Sequence, residues 1–540
     1  MANSGNFDVV VVGGGHNGLV AAGLLAQRGA RVTVLERRSV VGGAAITEQP
    51  WGPDFKMTAL SYVMSLMPAT IVAGLQLERH GYKVLPQHGY FVPYRDGTYL
   101  QMPDDPRRRH EQVAKFSRHD ADAYVRYDDW LGRLAAVLGP LLSVVPPKLG
   151  SHRPADLLDQ ARLAWRLRGL DTRGVGDAVR LFSMSIADLL DEWFDSPQVQ
   201  GVLSVSGVIG TWAGPRSPGT AYVMAHHKIG DVGEGQLGAW GFPVGGMGAV
   251  TEALRRAAES FGAIVRTNSA VQQILVRNGR VTGVALTNGD ELRADVVIAA
   301  THPKITFLEH IARDALPVDF VERIERWKTR SGTVKVNLAL DRLPEFASKP
   351  GFDPEVHGGT IVLAESLDEI ESAFQDAVGG RAAALPFSDI CIPSVFDRTL
   401  APEGKHVMSM FTQWVPHEWA SKPNNEALDA YADRVIDRVE ELAPGFRASI
   451  LHRQVIGPYE MENEYSLIGG NIFHGELSAD QMFHMRPAPG FADYRTPVHG
   501  LYQASSATHG GGGVTGIPGL NAVRQIVRDR RRGRVRRIAS

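Results

Sequence analysis

The sequence predicts an α/β fold in which one parallel-sheet domain is assembled from three separated segments, with a mixed α+β domain inserted between them. Three observations predict it. The chain opens on a strand, a glycine turn, a helix and a second strand. An almost wholly apolar segment, "ADVVIAAT" at 294–301, reads as a strand buried within a parallel sheet. The chain closes on "GLYQASS", a glycine run and a last helix, so the opening pattern returns at the far end. The three segments are 1–75, 245–302 and 486–540, and the inserted domain is built from 76–244 and 303–485.

The elements follow from hydrophobic periodicity. Residues 7–12 are mostly apolar and β-branched, 18–28 carry an alanine and leucine face at helical spacing, and "RVTVLE" at 31–36 alternates as a strand does. The middle holds amphipathic helices at 118–137 and 186–194. Its most apolar stretch, "WLGRLAAVLGPLLSVVPP" at 130–147, is too short and too interrupted for the ~18 to 20 apolar residues of a membrane span. It reads as a buried helix followed by a loop, with a membrane-facing or channel wall as the second reading. A helix starting near Gly248 precedes strands at 264–267, 271–276 and 280–286. Asn278-Gly279 and Asn288-Gly289 accept the positive φ of tight hairpin turns, so the three strands are expected to form a small antiparallel meander. Further strands at 333–341 and 406–414, a helix at 425–442 and a last helix at 516–529 complete the reading.

Composition narrows the function. Of 540 residues, 44% are hydrophobic and 21% charged, which is the balance of a globular chain rather than a disordered one. Lys and Arg number 57 against 59 Asp and Glu, so no overall field draws the protein to nucleic acid. The lone cysteine, Cys391, excludes an internal disulfide or a dithiol redox pair. The N-terminus lacks a basic leader and its apolar 9–12 runs directly into glycines, so a strand and a cytoplasmic location are expected. Eight arginines from Arg524 onward read as a solvated, frayed tail; binding of anionic lipid or nucleic acid is the other reading, which keeps peripheral membrane contact open. The sequence carries no signal for an oligomeric state.

The strongest motif is "VVVVGGGHNGLVAAGLL", in which Gly13, Gly15 and Gly18 form GxGxxG between a strand and a helix. The first glycine makes a tight turn, the second admits a pyrophosphate against the backbone, and the third lets helix and sheet pack closely. The helix N-terminus, with His16 and Asn17, offers N–H groups to phosphate. Glu36 closes the second strand where an acid can accept ribose hydroxyls, and it would repel the 2′-phosphate of NADP despite Arg37 and Arg38. This is a Rossmann-like site. A second glycine pair, Gly42-Gly43 followed by Ala44, is unnecessary for a nicotinamide but suits the extended FAD as it passes the ribose, so FAD is the expected cofactor. The run ending in Gly513, Val514, Thr515 and Gly516 supplies another close backbone approach and a helix whose positive end suits a reduced flavin. Val271 completes the expected cofactor set. No metal site is expected, because the histidines show no ligand spacing with acids or cysteine.

Together "GGGHNGLVAAGLLAQRG", "LERRSVVGGAAITE", "PDFKMTALSYVMSLM", "GAWGFPVGGMGAVTEAL" and "GLYQASSATHGGGGVTGIPG" resemble the phytoene desaturase and carotenoid oxidoreductase branch of the flavin amine oxidase superfamily, over nearly the full chain. The resemblance implies a two-domain flavoprotein with its isoalloxazine at the domain interface under a lipophilic tunnel. It implies an FAD-dependent oxidoreductase that desaturates a C–C bond of a lipophilic, carotenoid-like or isoprenoid small molecule, with hydride passing to flavin N5. Lys335 in "TVKVNLAL" is similar in setting to the strand lysine that flavin amine oxidases hold near N5 through a water; a solvent-facing lysine is the plainer reading. His226, His227 and His509 are candidate proton acceptors, since imidazole titrates near neutrality, or else structural hydrogen-bonding histidines. Trp240 is a candidate wall of the substrate site. Two alternatives stand beside the desaturase. One is an amine (C–N) oxidase, which needs an aromatic cage such as Trp240, Tyr222 and Tyr459 could form; the other is a flavin-loaded regulatory protein with little turnover. With no CxxC pair and no second GxGxxG after an apolar strand, disulfide reduction by pyridine nucleotide is not expected.

Overall fold

A computed structural model of the chain describes residues 6–230 and 238–535. Two seven-stranded sheets organise them. In the first, the order is Val271–Arg277, Arg280–Leu286, Glu291–Ala299, Asn6–Val12, Val32–Leu35, Ile264–Arg266, with Leu501–Gln503 also beside Glu291–Ala299. Val10 sits opposite Val297 and Thr33 in parallel register, and Val297 opposite Leu501. Both faces of this parallel centre are covered, which is why its strands read as continuous apolar runs. Val9 and Val11 pack under the helices His16–Ala26, Met247–Ser260 and Ile517–Arg531, while Val10 and Val12 pack on the opposite face with Phe307 and Phe320.

The expected meander is corrected in one respect. Val271–Arg277, Arg280–Leu286 and Glu291–Ala299 are antiparallel neighbours, but Ile264–Arg266 joins the opposite edge, parallel to Val32–Leu35. Its three residues sit between a helix and a sharp turn, and their sequence carries nothing that chooses a partner strand.

The second sheet runs Ile450–Ile456, Thr333–Leu340, His406–Gln413, Phe387–Cys391, Thr360–Leu363, Tyr90–Pro93, Tyr99–Met102. Val334, Val336 and Leu338 turn one face of it into a large core with the Asn425–Leu442 helix, through Tyr431, Val435 and Val439.

The 130–147 stretch is largely helical. The helix Arg118–Leu142 continues through Pro140, and Leu131, Leu134, Leu138 and Leu141 are buried. Among the described residues no helix is long and apolar enough to cross a membrane. The expected frayed tail is corrected for its first part, because the last helix reaches Arg531 and holds Arg524, Arg528 and Arg530, while Arg531, Arg532 and Arg534 are exposed. Arg524 donates to the Ser143 carbonyl, Arg528 pairs with Asp159 at 2.8 Å, and Arg530 is buried. Arg536 and Arg537 lie outside the described residues.

Candidate active site

The glycine motif folds as a turn laid on a second turn. Gly13 follows the first strand at φ +100° and donates its N–H to the Leu35 carbonyl at 2.9 Å. Gly15 caps the His16–Ala26 helix with no side chain over its free N–H groups, and a Cβ at Gly15 would meet no protein atom within 4 Å. A Cβ on Gly18 would lie 2.2 Å from the Gly13 carbonyl oxygen, so only glycine lets the helix sit this close to the strand. Gly42, at φ +124°, donates to Gly14 at 2.9 Å and pairs with Gly15, bringing Gly43 beside the first turn. Buried Glu36 accepts from Gly14 N–H at 2.8 Å and Arg38 N–H at 2.9 Å.

These residues open into a cavity of about 640 Å³, within the ~300 to 1,000 Å³ range of pockets that enclose organic ligands. Gly13, Gly15, His16, Asn17, Gly18, Glu36, Arg37, Gly42, Gly43, Ala44, Val271, Gly513 and Val514 all line it. A long molecule with a pyrophosphate fits this cradle on the molecule's own evidence. The space over Gly15 is free, the helix end is uncapped, and His16 Nε2 and Asn17 Oδ1 are buried with no partner in the protein. Such groups are costly unless a ligand or water satisfies them. Asn17 Nδ2 donates to Ser506 Oγ at 3.0 Å, fastening the C-terminal loop to the first helix.

Two expected cofactor residues are corrected. Thr515 and Gly516 do not line the cavity. Thr515 Oγ1 donates to the Gly510 carbonyl at 2.8 Å, and Gly516, at φ +68°, packs under Ile71 and Val20; both shape the turn that presents Gly513 and Val514.

Past the glycines, the cavity meets the second sheet. Thr333–Leu340, His406–Gln413 and Phe387–Cys391 are adjacent antiparallel strands, with Lys335 opposite Phe411 and Phe411 opposite Asp389. All three side chains line the cavity in one row. Lys335 is therefore not a solvent lysine: it is 1% exposed, donates to Ser409 Oγ, and holds Nζ 4.2 Å from the centroid of the Tyr62 ring. Burial lowers its pKa to about 7, against the opposing pull of Cys391 and Asp389. Burial raises Asp389 to about 6, opposed by the Tyr62 hydrogen bond and the charge of Lys335. Burial and Asp389 push the Tyr62 hydroxyl well above its ordinary value.

Sequence reasoning missed Tyr62 and Asp389. For Asp389 the available signal was an acid inside the strand-like run Phe387–Cys391, all of which is buried; Tyr62 lies outside any strand and carried no such signal.

The histidines separate. His227 lines the cavity, with Nδ1 2.8 Å from the Val223 carbonyl oxygen and its ring 5.7 Å from that of Trp240, which also lines it. Burial lowers its pKa. His226 sits behind, buried, both nitrogens without a protein partner, and lowered to about 3 chiefly by burial. His509 is corrected as a catalytic candidate. Its Nε2 is 2.9 Å from the Leu141 carbonyl oxygen, its ring packs on Phe483, and it does not line the cavity. Tyr222 stacks on Phe182 and Tyr459 lies elsewhere, so these two do not join Trp240 in a cage. His119, Asp120 and Asp195 do cluster, but Asp120 is occupied by the N–H groups of Asp195 and Ser196, a clasp between chain segments.

Leu131, Val202, Leu203, Ile209 and Met224 line the same cavity, and their helices also bring Asp128, Ser206 and Lys228 to it.

The comparisons agree with this geometry. The family model described as flavin containing amine oxidoreductase matches residues 18–519. The chain is 39% identical to the rat pyridine nucleotide-disulfide oxidoreductase domain-containing protein 2, over 97% of this chain and 94% of that protein. It is 25% identical to the neurosporene-forming phytoene desaturase of Cereibacter sphaeroides, over 94% and 92% of the two chains. Putrescine oxidase, solved with putrescine bound, superposes with a TM-score of 0.60 over 97% and 98% of the chains at 15% identity, a likeness of fold. The chain belongs to the flavin-containing amine oxidoreductase family and is an oxidoreductase with a Rossmann-type fold whose cofactor is FAD.

Proposed function

We propose that the protein dehydrogenates a C–C bond of a lipophilic, isoprenoid-like molecule. The observation that carries this reading is one cavity lined by the glycine cradle, by Lys335 and Asp389, and by the apolar side chains of Leu131, Val202, Leu203, Ile209 and Met224. A hydrocarbon is retained there by desolvation rather than by hydrogen bonds. The likeness to a phytoene desaturase supports the same class of substrate.

FAD, when bound, supplies the two-electron acceptor. The chain's residues do the rest. The N–H groups around Gly15, with His16 and Asn17, hold the pyrophosphate, and Glu36 accepts from the ribose. Asp389 is the base that takes a proton from the carbon adjacent to the one oxidised; its pKa of about 6 leaves it ionised at neutral pH yet able to receive a proton. Lys335 and Tyr62 fix the carboxylate and disperse its charge. Phe411 and the apolar lining side chains exclude water and position the substrate.

Amine oxidation fits less well. The Tyr62 face, which an aromatic cage would turn to a substrate amine, is already covered by Nζ of Lys335. Anaerobic titration of the holoprotein tests the choice. Bleaching of the flavin by isoprenoid hydrocarbons or lipid extract, and not by primary or secondary amines, is expected. Bleaching by amines alone replaces the reading with C–N oxidation, and a flavin that neither class reduces replaces it with a regulatory role.

A further inference from the structure

The helix Arg118–Leu142 is buried along its apolar side, and the exposed apolar surface lies just after it. Leu149, Leu157, Leu158, Trp165, Val175 and Val179 are each between 46% and 66% exposed within one stretch of chain. Leu157, Leu158 and Trp165 share one face of the helix Pro154–Leu167, at spacings of seven and eight residues, and Val175 and Val179 share one face of the next helix, Thr172–Ser183. Leu163 and Leu167 of Pro154–Leu167 pack half-buried against the large core, whereas Leu157, Leu158 and Trp165, on the side away from them, stay exposed.

The surroundings of this face are basic, although the whole chain carries a formal charge of −2. Between 148 and 180 lie seven Lys and Arg against four Asp. Lys148 pairs with Asp493, Arg162 with Asp159 and Arg180 with Glu192, which leaves Arg153, Arg166, Arg168 and Arg173 outside the ion pairs of the described residues, and the four acids are engaged. Asp159 pairs with Arg162 and with Arg528 of the last helix, Asp156 accepts from Ser151 Oγ and feels Lys148, Arg153 and Arg532, Asp177 accepts from Trp130 Nε1, and Asp171 caps its helix. Arg168 stacks 3.3 Å over the ring of Trp165.

We infer that these two helices dock the protein on an anionic lipid surface, lying in the interface with Leu157, Leu158, Trp165, Val175 and Val179 among the acyl chains and the arginines at the headgroups. The pattern is that of interfacial amphipathic helices: an apolar face containing tryptophan, flanked by cations that can snorkel. An apolar face with a cationic rim fits anionic lipid better than a protein partner, because lipid satisfies both halves without shape complementarity. The arginines of Ile517–Arg531 that reach this side, Arg524 and Arg528, enlarge the positive field. Thr172–Ser183 also packs against Thr220–Lys228, which contributes Met224, His227 and Lys228 to the cavity wall, so the docked face backs the substrate chamber. The docking stands whether or not the substrate reading holds.

Flotation of the FAD-loaded full-length protein with phosphatidylcholine vesicles, with and without phosphatidylglycerol, tests the inference. Wild type is expected to float with the anionic vesicles and to bind neutral ones at least tenfold more weakly. Trp165→Ala combined with Leu158→Ser should lower partitioning roughly tenfold, and Arg166→Glu should weaken it by more than about fivefold. These side chains are exposed, so retained flavin absorbance and melting temperature confirm intact variants. Wild type that fails to float, or variants that float as well as wild type, overturn the inference. So does a dimer in solution that the Trp165 and Leu158 substitutions dissociate, because the face would then cover a second copy of the chain. If one variant proves unstable, iodide quenching of Trp165 fluorescence in a Trp165→Phe difference measurement decides: protection by anionic vesicles supports docking, and unchanged access refutes it.

Discussion

Gly15 and Gly18 stand three residues apart in one motif, yet their replacement has opposite consequences. Gly15 has φ −69°, an angle any residue adopts, and its missing Cβ faces free space, so Gly15→Val leaves the fold intact and fills the place of a pyrophosphate. The expected protein is colourless and melts where the wild-type apoprotein melts. Gly18→Val instead drives a side chain into the Gly13 carbonyl, 2.2 Å from its Cβ, an overpacking worth at least ~1 to 3 kcal/mol. That apoprotein should unfold at lower denaturant. Absorbance of bound flavin and urea unfolding of the two variants check both statements; a yellow Gly15→Val protein would refute the pyrophosphate site.

At the scale of elements, Lys335, Phe411 and Asp389 form one row only because three strands of the second sheet stand in a particular register. The alternation of each strand is visible in the sequence. The long helix is read there as well, and Asn425–Leu442 is observed with the boundaries expected for it. Neighbour choice is not written locally, which is why Ile264–Arg266 is assigned to the wrong edge and Asp389 goes unnoticed beside a lysine 54 residues away in sequence. The row has a pH signature. Burial holds the Asp389 carboxyl at about 6, above its value in an unfolded chain, so the native state keeps a proton that the unfolded chain has already lost. The resulting stabilisation is complete below about pH 4 and disappears as pH rises through about 6, on the order of 3 kcal/mol. Asp389→Asn abolishes this dependence, so the advantage of wild type over the variant should shrink between pH 4 and pH 7 in urea unfolding. In the reaction the direction reverses. The carboxylate must be free, so flavin reduction by substrate should accelerate as pH rises through about 6 in wild type and lose that limb in the variant.

On the scale of the whole molecule, the cavity belongs to neither sheet alone. Val12 and Leu35 line it from the first, with Gly13 and Ala300 just past its strand ends, and Thr333, Lys335, Thr360, Asp389 and Phe411 from the second. The glycine cradle was legible because its residues are consecutive and its spacing is set by one ligand's phosphates. The opposite wall was not, because it gathers single residues from strands between Thr333 and Gln413 and adds Tyr62 from the first segment. FAD that fills such a cavity touches both sheets and binds only the folded chain. Free ligand at a hundred times its dissociation constant then adds about 2.7 kcal/mol to stability, and each further tenfold adds about 1.4 kcal/mol. The melting temperature of the wild-type protein should therefore climb with FAD concentration, and signals from the two sheets should move together, since one ligand bridges them. Gly15→Val should show no such climb at any concentration. Scanning calorimetry across an FAD series measures this directly. A wild-type melting temperature indifferent to FAD would show that the cavity is not where the flavin is held, and a transition that splits, with only the first sheet responding, would show that the second sheet contributes no contact to it.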